Sequence, residues 1–276
     1  MYAIRGSTAT SENEALVERE RTGTGPTANV EWVAGCLADL RATGEDETLV
    51  LLLGGRSAYD FRVRVAQSHL RGDMSPSHWS HTALVDAVGE PVGATVLREV
   101  SLEPREGFGM PATTNAVQST PLDWYADPAL VPNIAVLSVP APPSEWQGRS
   151  EGAGRPEQTS VLEQLTQQRV VVDLPALLLR WLAFVWGVGR SGNPLLDGDG
   201  LPSAVMIETL VSAAGFDLTP GLDSRAATPE GFWQTARWWH TYFELQDRPP
   251  VRGFYWVPDR LDYAAPRSRR TTPDAG

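Results

Sequence analysis

The hydrophobic pattern changes along the chain, and this change limits the possible folds more than any other feature. The first half holds short apolar or alternating runs, which predict β-strands: TLVLLLGG, FRVRVAQS, HTALVDAV, ATVLREVSL and NIAVLSVP. The second half holds longer apolar segments with helical spacing. Strands followed mostly by helices predict the α+β class. Because neither half alone could bury its apolar faces, we expect one core in a single domain.

Local signals mark several helices. The segment NVEWVAGCLADLRATG places its apolar residues on one helical face. Gly215 ends a later predicted helix, and Thr228 is the expected N-cap of the next. The run from Leu174 to Gly189 is apolar on nearly every side, which predicts a buried helix. It is too short to span a bilayer and carries Arg180 near its centre, so we expect no membrane span.

Composition also predicts the limits of the domain. Residues 1–27 are polar and are expected to form a disordered tail. The α+β domain is expected over 28–263, with flexible chain again over 264–276. Within the domain, residues 140–158 are rich in Pro, Gly, Ser and charge, which predicts a loop or linker.

Charge and residue usage exclude several classes of function. The 276 residues carry a net charge of −11, so phosphate backbones would repel the chain and we expect no nucleic-acid partner. All 23 basic residues are Arg, which excludes Schiff-base and P-loop lysines. The single Cys36 allows no intramolecular disulfide and is interpreted as a small packed residue. No apolar signal segment opens the chain, so a cytoplasmic protein is expected. No cofactor is expected either.

A histidine cluster suggests one kind of chemistry. The segment HLRGDMSPSHWSH contains His69, Asp73, His78 and His81, a combination that can bind a transition metal. These residues lie in a predicted loop and lack the helical spacing of a His-Glu-x-x-His motif. A metal-dependent enzyme is therefore kept as one hypothesis.

His81 has a second interpretation, because it begins a predicted strand. Glu99 lies on the next predicted strand, and antiparallel pairing would allow this carboxylate to orient the imidazole, as in a catalytic site. The structural alternative is a histidine bonded to a backbone carbonyl and a glutamate paired with a surface arginine. The residues by themselves leave both interpretations open.

A family resemblance extends this second interpretation. The residues that carry it are SHTALV around His81, the acidic strand LREV around Glu99, PLDWY followed by NIAVLSV, and LPSAVMIETLVSAAGFDLTP followed by ATPEGFW. In this order, the segment from Phe61 to Trp239 resembles the circularly permuted NlpC/P60 group of papain-like hydrolases. The resemblance implies a papain-like antiparallel sheet packed against helices, and, together with composition, a bacterial source. It also implies catalytic positions at His81, Glu99 and the start of the helix near 203.

The chain departs from that family at the nucleophile. The resemblance places Ser203, or Pro202 if the register slips by one, where the family has a cysteine. A serine hydroxyl cannot be ionised by surroundings that suffice for a thiol, so most activity is expected to be lost. Ser203 is also a good helix N-cap, and we favour this structural role over that of a nucleophile.

Three functional hypotheses result. The first is a catalytically inactive papain-like module that binds a protein or peptide partner or serves in an assembly; exposure of Trp233 or Trp238 would suggest a partner surface. The second is an amide or ester hydrolase that uses Ser203, His81 and Glu99. The third is the metal-dependent enzyme.

Overall fold

The computed structural model describes residues 16–41, 47–103, 115–140, 162–167, 172–243 and 251–261. Its strands and longer helices in chain order are β1 (Leu16–Glu18), α1 (Ala28–Arg41), β2 (Glu47–Gly54), α2 (Ala58–Ala66), β3 (His81–Ala87), β4 (Val96–Glu99), β5 (Gln118–Pro121), β6 (Asn133–Pro140), α3 (Leu174–Trp186), α4 (Pro202–Ala213), α5 (Pro229–Phe243) and β7 (Arg252–Trp256). The predicted tail at 264–276 and residues 141–158 of the predicted linker lie outside the described residues.

All seven strands form one mixed sheet in the order β1-β7-β6-β2-β3-β4-β5. Neighbouring strands are antiparallel except for β1, which runs parallel to β7. The α+β class and the single domain are therefore confirmed, but the expectation of a wholly antiparallel sheet is wrong at β1.

The sheet buries both of its faces. Along the central strand β2, Val50 and Leu52 belong to a core cluster with residues of α2 to α5, whereas Leu51 and Leu53 belong to a cluster with α1. Successive side chains of a strand point to opposite faces, so one face is covered by α1 and the other by the remaining helices. This explains why the run LVLLL from Leu49 to Leu53 is apolar at every position rather than alternating.

The prediction of a strand over FRVRVAQS is wrong, because its residues up to Ala66 belong to α2 and Gln67 is the C-cap of that helix. The Ser57 side chain accepts a hydrogen bond from the Asp60 amide, and the Asp60 carboxylate accepts one from the Ser57 amide, forming a capping box that starts the helix. Val63 and Arg64 are both buried. The alternating pattern had placed Arg64 on a solvent-facing side of a strand. In the structure Arg64 is buried, and its polar contacts include a hydrogen bond from Nε to the Ser77 carbonyl.

Three short strands were not predicted from the sequence. The predicted disordered tail is wrong from Leu16 onward, since Leu16–Glu18 pairs with Gly253, Phe254 and Tyr255 of β7. The strands β5 and β7 were not predicted either. Each has only four or five residues, too few for a periodic pattern to identify a strand.

Helix α3 is less buried than its sequence suggested. Its buried residues lie along one stripe, Leu174, Leu178, Trp181 and Val185, while Leu179 is 65% exposed. The prediction of a helix buried on nearly every side is therefore wrong. Within the described part of the chain, no helix combines the length and apolarity needed to cross a bilayer.

Candidate functional site

The start of β3 and the end of β4 bring His81 and Glu99 together. Nε2 of His81 donates a hydrogen bond to Oε2 of Glu99 over 2.9 Å. The ring of Tyr125 lies beside the imidazole, with a centroid distance of 6.0 Å. The glutamate is fully buried, and the imidazole side chain keeps 14% of its surface exposed.

The Glu99 carboxylate is held by further donors. Tyr125 Oη donates to Oε2 over 2.7 Å, and Thr120 Oγ1 donates to Oε1 over 2.6 Å. The Gln118 side-chain amide donates to the same Oε1 over 3.3 Å. Burial by itself would raise the pKa of Glu99, but the hydrogen bond and charge of His81, with the bonds from Thr120 and Tyr125, outweigh burial and lower it.

This arrangement determines which imidazole nitrogen carries a proton. An ionised carboxylate only accepts hydrogen bonds, so Nε2 of His81 must be protonated to bond Glu99. In the neutral ring, Nδ1 is then the nitrogen with a lone pair. Among the described residues, no hydrogen bond of His81 Nδ1 is found.

Ser203 makes a different set of contacts. Its hydroxyl donates to the carbonyl oxygen of Thr82 and accepts from the amide of Val100 over 3.3 Å. The pairs of β3 and β4 include Leu84 with Arg98, so Thr82 and Val100 would face each other two residues further along. The hydroxyl therefore links the two strands where their direct pairing ends.

The expectation that Ser203 caps its helix is wrong. Leu201 is the N-cap residue of α4, Pro202 is the first helical residue, and no side chain caps this helix end. The Ser203 hydroxyl bonds to strand backbone instead of to amides of its own helix. The resemblance-based alignment is compatible with this position in the first turn, but Ser203 is only 2% exposed.

The imidazole and the Ser203 hydroxyl approach the sheet from opposite faces. His81 pairs with Leu53, and Glu99 is two residues from Leu97, and both leucines pack on the α1 face. Helix α4 packs on the other face. The structure thus brings His81 and Glu99 into contact, while the described hydrogen bonds of Ser203 go to backbone groups.

A cavity of about 50 Å³ opens beside the imidazole, and we call it the His81 pocket. Its polar lining consists of Ser57, Asp60, Ser80, His81, Ser101 and Glu103. Its remaining lining consists of Leu53, Gly55, Val63, Leu102, Val131, Tyr59 and Tyr125. Neither Ser203 nor Glu99 lines this cavity.

Asp60 contributes to the polar wall of the His81 pocket. Its Oδ2 accepts hydrogen bonds from the amide of Ser57 over 3.1 Å and from the Ser57 hydroxyl over 2.7 Å. Its Oδ1 accepts from the hydroxyl of Ser80. The capping box of α2 therefore also shapes the His81 pocket.

Comparisons with protein-family models, with curated proteins and with solved structures found no match to this chain. The papain-like resemblance therefore remains a hypothesis that rests on the residues that suggested it.

The four residues of the metal hypothesis are not arranged as ligands. His69 Nδ1 bonds the carbonyl of Ala66, and Asp73 Oδ1 accepts from the Ser75 amide and hydroxyl. Burial, with the positive charges of nearby arginines, lowers the pKa of His78 to about 3. Across the described ranges, no three His, Cys, Asp or Glu side chains meet in a group able to hold a metal ion.

Two further sequence expectations concern Cys36 and the aromatic helix. Cys36 is fully buried, and burial raises the pKa of its thiol to about 12, so it is a packed residue as expected. In α5, Trp233 is buried and Trp238 is 53% exposed.

Sequence reasoning missed the donors to Glu99 and the Asp60 wall. Thr120 and Gln118 lie on the unpredicted strand β5, so no pattern connected them to Glu99. Asp60 did carry a detectable signal, since Ser57-x-x-Asp60 resembles a capping box, but the segment was assigned to a strand.

Proposed function

We propose that this chain is a papain-like, permuted NlpC/P60-like module that does not hydrolyse substrate and instead binds a group of a protein or peptide partner in the His81 pocket. The observation that carries this proposal is the bonding of Ser203. A serine nucleophile must give its proton to a base, and here the hydroxyl proton is directed to the Thr82 carbonyl.

Burial and direction support the same conclusion. Ser203 is 2% exposed and does not line the His81 pocket, so its hydroxyl is not presented to a ligand bound there. The imidazole approaches from the α1 face, whereas α4 lies on the opposite face. General-base catalysis needs the nucleophile within hydrogen-bond reach of the base.

The preserved part of the site supports binding. Glu99 fixes the imidazole, and Tyr125 and Thr120 fix Glu99. A rigid polar group at the wall of a cavity fixes the orientation of a ligand without any covalent step. The cavity, at about 50 Å³, is much smaller than the several hundred Å³ typical of drug-sized ligands, so it suits the end of one side chain.

The test introduces a thiol at the family's nucleophile position. The native thiol of Cys36 is buried and has a pKa raised to about 12, so alkylation by iodoacetamide at neutral pH reports on an added cysteine. We expect Ser203→Cys to resist alkylation at neutral pH and to gain no hydrolysis of peptide, amide or ester substrates. Ser191→Cys in an exposed loop is the reactive control.

The hydrolase that uses Ser203, His81 and Glu99 is the second candidate, favoured by the 2.9 Å contact between the imidazole and the carboxylate. It predicts turnover by the wild-type chain that disappears in both Ser203→Ala and His81→Ala. It also predicts rapid alkylation of Ser203→Cys below pH 7 that depends on His81. Either result would overturn the binding proposal.

A further inference from the structure

We propose that the group bound in the His81 pocket is a primary alkylammonium, such as the end of a lysine side chain. This inference rests on the proposed function, because it names the ligand of the same pocket. It is carried by the charge, the hydrogen-bonding character and the size of the lining.

The charged groups of the described lining are negative. Asp60 and Glu103 are its acidic residues, and no arginine of the described chain lines it. Behind the imidazole lies the buried carboxylate of Glu99. The buried charge of Arg64 interacts with Asp60 from outside the lining. With Arg64 included, and with a neutral or a protonated His81, these five residues together still carry net negative charge. A cationic ligand is therefore favoured and an anionic one is repelled.

The hydrogen-bonding groups of the pocket are mainly acceptors. The Ser57 hydroxyl donates to the Asp60 carboxylate, and the Ser80 hydroxyl donates to the same carboxylate with the Leu53 carbonyl as a second acceptor. Each serine oxygen already accepts one backbone amide, from Asp60 or Gly55, so each has one lone pair and no proton left for a ligand. With Nε2 bonded to Glu99, neutral His81 offers the lone pair of Nδ1. A wall of acceptors requires a ligand that donates, and an ammonium donates three hydrogen bonds.

The remaining lining suits the alkyl chain. Leu53, Val63, Leu102 and Val131 provide apolar walls, against which methylene groups can be buried. Tyr59 and Tyr125 also line the cavity, and aromatic side chains can attract cations. An ammonium with a few methylenes fits a cavity of about 50 Å³, whereas the bulkier planar guanidinium is disfavoured.

Two sources share this chemistry, a lysine side chain of a partner protein and a free amine. The probes are n-butylamine, Nα-acetyl-lysine methylamide, and the same lysine compound acetylated on Nε. Binding is followed by calorimetry and by the NMR signals of the His81 ring in the full chain. Tighter binding of the lysine compound than of butylamine assigns the site to a peptide, and equal binding assigns it to free amines.

Variants of the acidic wall test the role of charge. Removing a carboxylate that contacts a bound ammonium should weaken binding about tenfold in Asp60→Asn. Because Asp60 also caps α2, Glu103→Gln, which changes an exposed residue, provides a second variant with an expected loss of about threefold. Asp86→Asn, on the exposed end of β3, is the control and should leave binding unchanged.

The inference is overturned if the Nε-acetylated compound binds as well as the free lysine compound, or if neither amine moves the His81 signals at millimolar concentration. In that case, the proposed function stands or falls separately on the alkylation of Ser203→Cys. Equal binding of the lysine compound to wild type and to both acidic-wall variants would also overturn the inference of an alkylammonium ligand.

Discussion

The hydroxyl of Ser203 donates a hydrogen bond to the carbonyl oxygen of Thr82. The hydroxyl oxygen of Ser203 accepts a hydrogen bond from the Val100 amide, so one side chain from α4 links the ends of two strands. Backbone groups at a strand end need hydrogen-bond partners when water is excluded. This hydroxyl is a donor for the Thr82 carbonyl and an acceptor for the Val100 amide. The Ser203 side chain therefore has a structural role, which is to hold the ends of β3 and β4 together.

The first prediction follows from that relationship. Ser203→Ala leaves the Thr82 carbonyl and the Val100 amide without this partner, in a site that is 2% exposed. We expect the free energy of unfolding to fall by about 1–3 kcal/mol. Urea denaturation measures this, with Thr24→Ala in an exposed loop as control, whose effect should stay within about 0.5 kcal/mol. Unchanged stability in Ser203→Ala would contradict the linking role.

The second prediction concerns the Glu99 carboxylate. Glu99→Gln replaces an oxygen that accepts hydrogen bonds by an amide that donates them, facing Thr120, Tyr125 and His81. We expect a loss of about 2–4 kcal/mol in the free energy of unfolding at neutral pH. Tyr125→Phe removes one donor and should cost about 1 kcal/mol.

The pH dependence of this effect has a definite sign. The folded pKa of Glu99 is lowered, so its stabilisation is present above the ordinary glutamate pKa and is lost as pH falls through the folded value. The difference between wild type and Glu99→Gln should therefore shrink in acid. Denaturation curves between about pH 7 and pH 3 measure it. A difference that grows on acidification would contradict an ionised Glu99.

The third prediction concerns Glu208 in α4, which is 1% exposed. Burial, with a smaller contribution from Asp217, raises its pKa to about 7. A raised folded pKa means that the stabilisation is complete below the unfolded value and is lost as pH rises through about 7. At alkaline pH, Glu208 must therefore be buried as a charged group.

We accordingly expect Glu208→Gln to stabilise the protein relative to wild type at pH 8 by an amount on the order of 2 kcal/mol more than at pH 5. Thermal unfolding at both pH values gives the comparison. Glu163 is exposed, so Glu163→Gln is the matched control. Its effect on stability should be the same at both pH values. Equal effects of Glu208→Gln at both pH values would refute the raised pKa.

The fourth prediction tests the construction of the His81 pocket. A methyl group on Gly55 would overlap the carboxylate of Asp60. We expect Gly55→Ala to displace Asp60 from its bonds with Ser57 and to cost about 1–3 kcal/mol in stability.

Binding to the pocket should weaken in the same variant, as measured by the His81 ring signals with the lysine probe. Gly72→Ala is the control, because a methyl group there meets no atom within 4 Å. If Gly55→Ala leaves both stability and binding unchanged, Gly55 and Asp60 do not shape the cavity as described.

Sequence patterns located part of the candidate site. Glu99 was connected to His81 because two neighbouring predicted strands can pair, and the structure places these residues 2.9 Å apart. The strand assignments for β2, β3 and β6 were also correct. Apolar runs of this kind predict a strand whichever segments pack beside them. These features depend on local periodicity.

Other features depend on contacts between distant segments. Arg64 reads as a solvent-facing residue, but it is buried because Ser77, Gly55 and Asp259 provide acceptors. Thr120 and Tyr125 meet Glu99 across 21 and 26 residues of sequence. No local pattern contains such information, because it arises from strand order and from the direction of each side chain.

The sequence by itself determined the α+β class, the central strands and the packed state of Cys36, since apolar periodicity and residue type decide these locally. It offered the contact of His81 with Glu99 as one of two interpretations, and the structure decided between them. The tertiary structure alone decided that α2 is a helix, that β1 joins the sheet, and that the Ser203 hydroxyl turns to strand backbone. The physical reason is that a polar group bonds to whichever partner the fold brings within reach, and that partner lies far away in the chain.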